Sequence, residues 1–382
     1  MSGGVVISWD GAYLVDGVRT PFVDYNGALA SVSPIDLGIK VGREAVKKSG
    51  IDANEIGTVI CGSVAQTSFD AYMLPRHIGL YSGAPIAAPA HLVQRVCGTG
   101  IEILSQAADA VSFGRAEVAL CVGTESMSRN PVAAYTHRSG FRMGQIEFKD
   151  FLWESLLDTA AGSTMGQTAE KLAIQYQLTR EEVDAFASRS FDRAITANER
   201  GFFSAEIVPV KTETFERDGF APRGIKLAKG MTAEADTHVK PSPVETLAKI
   251  PPAFDGVQTG GNSSAIVDGA AAGIVASGEY VKRHNLKPMA RIAACASFGV
   301  QPEVMGIGPV PAIRLVLERA GLKLSEVDRI EINEAFAAQT MACARELGLD
   351  EEKLNVNGGA IAMYAYDEDR LIDGCARARR GL

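Results

Sequence analysis

Short apolar runs at Thr58 to Cys61, Val118 to Val122 and Ile330 to Ile332 alternate along the chain with helix-length stretches of small and apolar residues. That rhythm predicts an α/β protein with a mostly parallel sheet, because strands covered on both faces read as continuous apolar runs. One segment recurs: Ala45 to Val64 lines up without gaps on Val316 to Ala335, each reading as a helix end, a glycine, a capping turn and a strand. In that match Gly50 meets Gly321 and Glu55 meets Glu326, so two similar halves are expected. Between about residues 126 and 250 charge and aromatics become denser. There Thr179 and Glu182 form a capping box that opens a surface helix with Val183, Phe186, Ala187, Phe191, Ala194 and Ile195 on one stripe, ending at Gly201. Lys282 to Pro288 reads as a hinge into the second half.

The chain has 382 residues, 46% of them hydrophobic, enough to close more than one core. With 38 basic against 46 acidic side chains and no run of Lys or Arg, it offers a phosphodiester backbone no track, so no nucleic-acid partner is expected. The first basic residue is Arg19 and the longest uncharged stretches are broken by Gly and Pro, so no membrane partner is expected and the reading is cytoplasmic. Six cysteines (61, 97, 121, 295, 343 and 375) are scattered singly, which reads as reduced thiols, and the five histidines lack metal-ligand spacing.

Cys97 stands apart from the other thiols. It lies where a short apolar strand gives way to Gly98 and Gly100 and then to a helical pattern of Ile101, Leu104, Ala107, Ala108 and Val111. A helix N-terminus favours a thiolate, and small neighbours let a carbonyl approach, so Cys97 is the candidate nucleophile; Cys61, Cys121, Cys295 and Cys343 read as small core residues. Thr259 to Ala265 (TGGNSSA) is a flexible polar loop able to cradle a phosphate or an amide, or simply a turn. Asn333-Glu334-Ala335-Phe336 sits where a strand ends and a helix begins, the edge at which α/β sheets bind ligands, although an ordinary Asn N-cap reads the same way. Asn357-Gly358-Gly359 closes another strand with a tight turn.

Eight segments in order resemble the thiolase family, and within it the degradative 3-ketoacyl-CoA thiolases. They are Gly17 to Phe22, the Cys97 segment, Gly123 to Ser128, Met165 to Glu170, Thr259 to Ala265, Met305 to Pro311, Asn333 to Phe336 and Asn355 to Ala362. The resemblance implies two βαβαβαββ halves in a five-layered αβαβα arrangement. Residues 1–277 would form the N-terminal domain, with an inserted loop domain at about 126–250, and residues 285–382 the C-terminal domain. It further implies thiolytic cleavage of 3-ketoacyl-CoA through an acyl-Cys97 intermediate, with coenzyme A as co-substrate and no permanently bound cofactor. Acyl-CoA and CoA would be the partners, and a homodimer or homotetramer the assembly. Carried over by position, Cys97 takes the acyl group, Asn333 holds a water in the first oxyanion hole, and Ser264 belongs to the CoA loop, here reading NSSA against a usual NASG.

After Ala362 the resemblance lapses: neither a GHPxGASG stretch, whose His would activate the nucleophile, nor a CxGGG stretch is found, and Cys375 lacks the glycine context of the second catalytic thiol. Asp367 to Leu382 is dense in charge and reads as a solvated tail. These observations predict a truncated second half and impaired turnover. They keep acetoacetyl-CoA thiolase (acetyl-CoA acetyltransferase) and a non-catalytic CoA-binding or partner subunit as alternatives.

Overall fold

The structure, a computed structural model, describes residues 3–65, 67, 71–135 and 137–363. The charged tail and Cys375 lie outside the described residues. One seven-stranded sheet organises the rest. Its long strands are β1 (Val5–Arg19), β2 (Thr58–Gly62), β3 (Ala90–Val93), β4 (Val118–Ser126), β5 (Val267–Ser277) and β6 (Ala290–Ser297). They run in the order β6-β1-β5-β4-β2-β3, and the two-residue strand Val23–Asp24 pairs with β5.

Only β3–β2–β4 is parallel; β5, β1 and β6 are antiparallel to their neighbours, which corrects the mostly parallel sheet expected from the chain. The apolar runs are nonetheless continuous because both faces are covered, and burial rather than strand direction produces that pattern. Alternation shows it residue by residue. Val118, Leu120 and Val122 of β4 join Val59 and Cys61 of β2 in the core under α1 (Pro34–Ser49) and α2 (Leu74–Tyr81). Ala119 and Cys121 of β4 join Ile60 of β2 on the other face, against α3 (Thr99–Ser112).

The chain leaves β4 at Ser126 and returns at Val267. The excursion carries α4 (Met165–Gln175) and α5 (Arg180–Glu199). Helix α5 opens with the expected capping box, Thr179 Oγ1 accepting from Glu182 N. It is not a surface helix, however: Phe186, Phe191 and Ala194 sit in a third core shared with Ile332, Ala337, Met341 and Ile361. Helices α6 (Pro309–Ala320) and α7 (Ala337–Leu347) complete the described second half; α6 lies on β6 and β1, and α7 on α4 and α5.

Both copies of the repeated segment take the expected shape. Helix α1 stops at Gly50 (φ 71°) and α6 at Gly321 (φ 68°), left-handed positions that favour glycine, and each is followed by a single 3₁₀ turn, at Ala53–Glu55 and at Leu324–Glu326. The strand expected at Ile330 to Ile332 is present only as an isolated bridge from Ile330 to Leu354, because the backbone of Ile332 is bonded by the side chain of Asn355 instead of a neighbouring strand.

Candidate active site

Strand register brings the candidate segments to one edge of the sheet. Gly62 at the end of β2 lies opposite Val93 at the end of β3 and Gly123 near the end of β4. Ser126, the last residue of β4, faces Asp268 at the start of β5. Cys97 follows β3 by four residues and the Thr259 to Ala265 loop runs directly into β5, so both stand at the carboxyl edge of the parallel strands. Ligands bind at that edge in open α/β sheets.

Cys97 is half-buried and lies one residue before Gly98, the N-cap of α3, which supplies no capping side chain. The first-turn N–H groups therefore face the thiol's surroundings and favour negative charge there. The turn is tight: Gly98 N donates to Arg95 O (3.1 Å), Thr99 Oγ1 donates to Val96 O (2.6 Å), and Thr99 Oγ1 accepts from Arg95 N (2.8 Å). Val96 pays for it with φ 47°, a left-handed conformation that a β-branched side chain resists at a cost on the order of 1–3 kcal/mol. Arg95 ties the turn to Glu102 in the first turn of α3 and to Ser297 at the end of β6. The helix differs from the expected stripe in one place, since Ile103 fills the core and Ile101 is half-exposed.

Three other thiols, Cys61, Cys295 and Cys343, are held protonated. Burial pushes Cys61 well above the ordinary thiol value, with Cys121 beside it adding to the shift, and pushes Cys343 up to about 12. Burial also raises Cys295.

The Ser264 loop, the segment after Asn333 and residue 360 meet at a junction of three segments. Ser264 N donates to Ala335 O (3.0 Å), Ser264 Oγ to Ala360 O (3.3 Å), and Ala337 N to Asn262 O (3.0 Å). The loop is not the flexible turn expected: Thr259 and Asn262 are fully buried, and Asn262 Oδ1 accepts from Thr259 N (2.7 Å). Asn333 is not an N-cap either, since α7 begins four residues later with Phe336 as its cap. Its Oδ1 is buried with no protein partner among the described residues, so it can accept from a water whose second O–H points to an oxyanion.

Two acidic residues of the quoted segments prove to be buried and bonded at this edge, a role the sequence reading did not give them. Glu334 is 1% exposed and accepts from Ser190 Oγ (2.7 Å), Asn355 Nδ2 (2.7 Å) and Ile361 N (3.2 Å). A Cβ on Gly359 would lie 2.1 Å from that carboxylate, so only glycine lets the Asn357 to Gly359 turn pass. Glu125 is 2% exposed and fastens the segment after β2, accepting from Val64 N (2.7 Å), Ala65 N (3.1 Å) and Ser63 Oγ (3.4 Å). Burial pushes its carboxyl up to about 7 even so. The signal that could have found that role is an acidic residue two or three positions after an apolar run.

Comparison with known proteins agrees with this arrangement. The family model described as "Thiolase, N-terminal domain" matches residues 12–279, and "Thiolase, C-terminal domain" matches residues 286–364. The mitochondrial 3-ketoacyl-CoA thiolase of Homo sapiens is 41% identical over 358 residues, covering 92% of this chain and 87% of that protein. The acetyl-CoA acetyltransferase of Pseudomonas aeruginosa is 41% identical over 356 residues, with the same coverage of each. The crystal structure of the human mitochondrial enzyme in complex with CoA superposes with a TM-score of 0.87 at 39% identity, covering 94% of this chain and 89% of that one. None of these matches supports the expectation of a missing C-terminal segment.

Proposed function

For this chain, which belongs to the thiolase family of acyltransferases and has its fold, we propose thiolytic cleavage of 3-ketoacyl-CoA at Cys97. The observation that supports the reading is that the turn of Cys97 and the Ser264 loop stand at the same edge of the sheet, with the Asn333 segment bridged to that loop through Ser263 and Phe336. The Cys97 thiolate adds to the 3-keto carbon, and the oxyanion so formed is stabilised through the water that Asn333 holds. The C2–C3 bond then breaks, its electron pair leaves on the acetyl-CoA fragment as an enolate, and that carbon takes up a proton. A second CoA, as its thiolate, attacks the acyl-Cys97 thioester and releases the shortened acyl-CoA, regenerating Cys97.

Coenzyme A is a co-substrate in this cycle, held by the loop around Ser264. 3-Ketoacyl-CoA thiolases and acetyl-CoA acetyltransferases resemble this chain equally, and the acyl chain length accepted by Cys97 separates the two readings. A homo-oligomer is supported by β3, whose outer edge pairs with no other strand among the described residues and is therefore open to a second copy.

The deciding experiment is to trap the acyl-enzyme. Incubation with acetyl-CoA or a short 3-ketoacyl-CoA, quenching and peptide mapping should place one acyl group on Cys97, and Cys97→Ser should abolish it. CoA binding without acyl transfer would favour the non-catalytic CoA-binding reading instead.

A further inference from the structure

Helix α5 buries an otherwise apolar face, yet three polar side chains lie within it, Asp184, Ser188 and Ser190, and the two most deeply buried are Asp184 (1% exposed) and Ser190 (3% exposed). Buried polar groups are costly unless bonded, so the partners of these two indicate what the helix is for. Asp184 Oδ1 accepts from Asn262 Nδ2 (2.8 Å), and Oδ2 accepts from Arg180 Nε (2.7 Å). Arg180 Nη2 in turn donates to Leu247 O (2.7 Å) and Ile250 O (2.9 Å), which fixes the aspartate from outside. Asn262 is the crosslink of the Ser264 loop, bonding Thr259 N, Val257 O and, through its carbonyl, the first residue of α7. Six residues further along α5, Ser190 Oγ donates to Glu334 Oε2 (2.7 Å) and accepts from Gly359 N (3.0 Å). One rigid helix thus grips the Ser264 loop at one point and the Asn333 segment at another, about 9 Å apart along its axis.

We propose that Asp184 and Ser190 are positioning residues: α5 sets the Ser264 loop and the Asn333 segment in register, Asp184 serving CoA binding and Ser190 serving acyl transfer. The inference rests on the reading of Ser264 as part of a CoA loop. Neither residue reaches the reacting atoms; each acts through Asn262 or through Glu334.

The two roles separate in measurement. Asp184→Ala should weaken CoA binding in calorimetry by about 10- to 100-fold, the loss of one charge-assisted hydrogen bond. Asp184→Asn keeps an acceptor for Asn262 and should recover most of that affinity. Ser190→Ala should leave CoA affinity within about twofold while slowing acyl transfer from acetyl-CoA to Cys97 about tenfold, with Ser190→Thr restoring it. Val183→Ala, a cavity in the same helix at a fully buried position, lowers stability without touching either grip and should leave CoA affinity unchanged. A wild-type chain that binds CoA no better than Asp184→Ala, or a Val183→Ala chain that binds as poorly, overturns the inference alone. A wild-type chain that binds no CoA at all overturns the CoA reading and the inference with it.

Discussion

The two copies of the repeated segment, 45–64 and 316–335, begin alike and end differently. Each leaves its helix through a left-handed glycine and takes one 3₁₀ turn, since those steps depend on nearest neighbours alone. The first copy then enters the middle of the sheet as β2, paired on both sides and buried at every position. Its last residue, Gly62, is closed upon by α3: a Cβ there would lie 2.4 Å from Thr99. The second copy meets no strand along most of its length and ends in Asn333 and Glu334, around which polar groups gather from α5 and from residues 355–361. A similar local pattern therefore builds packing in one half and a candidate oxyanion site in the other. The difference lies in what fills the end of the strand.

The sharpest way to break this comparison is to exchange what fills those ends. Asn333→Ala should slow acylation of Cys97 by about 100- to 1000-fold with little loss of stability, as expected for one oxyanion donor. At the matched position Gly62→Ala should instead cost about 1–3 kcal/mol in urea unfolding, by overpacking against α3. Equal effects of the two on stability would dissolve the distinction between a packed end and a polar one.

The next residue of each copy gives the next largest contrast. Glu334→Ala strands Ser190, Asn355 and Ile361 N, and should cost about 3–5 kcal/mol. Its counterpart Ser63→Ala removes one long bond to Glu125 and should cost about 1 kcal/mol or less.

Glu125 makes the first copy's end sensitive to pH. With its carboxyl raised from 4.5 to about 7 in the folded chain, the native state binds the proton more tightly than the unfolded state does. Its contribution is present in full below pH 4.5 and is lost as pH rises through about 7. Over that window Glu125→Gln should flatten the fall in unfolding free energy by about 3 kcal/mol. An unchanged slope in denaturant titrations across that window would remove Glu125 as its source.

The smallest effects test the shared part. Gly50→Ala and Gly321→Ala both face open space, so each should lose only the backbone cost of a side chain at positive φ, about 1 kcal/mol, and the two losses should be equal. A large inequality in thermal unfolding would mean that the copies share less than their backbones suggest.

Local chemistry was legible along the chain. The capping box at Thr179, the left-handed glycines, the apolar strands β2 and β4 and the thiol at a helix N-terminus are all decided by residues within a few positions of one another, so reading the chain finds them. Motifs in order also sufficed for the family. What only the tertiary structure decided is every property set by distant partners. Antiparallel pairing of β4 with β5 depends on a return after 140 residues of excursion, and the burial of α5 depends on the second half closing over it. The raised carboxyl of Glu125 depends on exclusion of water by groups far away in sequence, and so does the meeting of Ser190 with Glu334 across 144 residues. Burial and charge compensation are sums over space, and a linear pattern carries them only where space and sequence coincide.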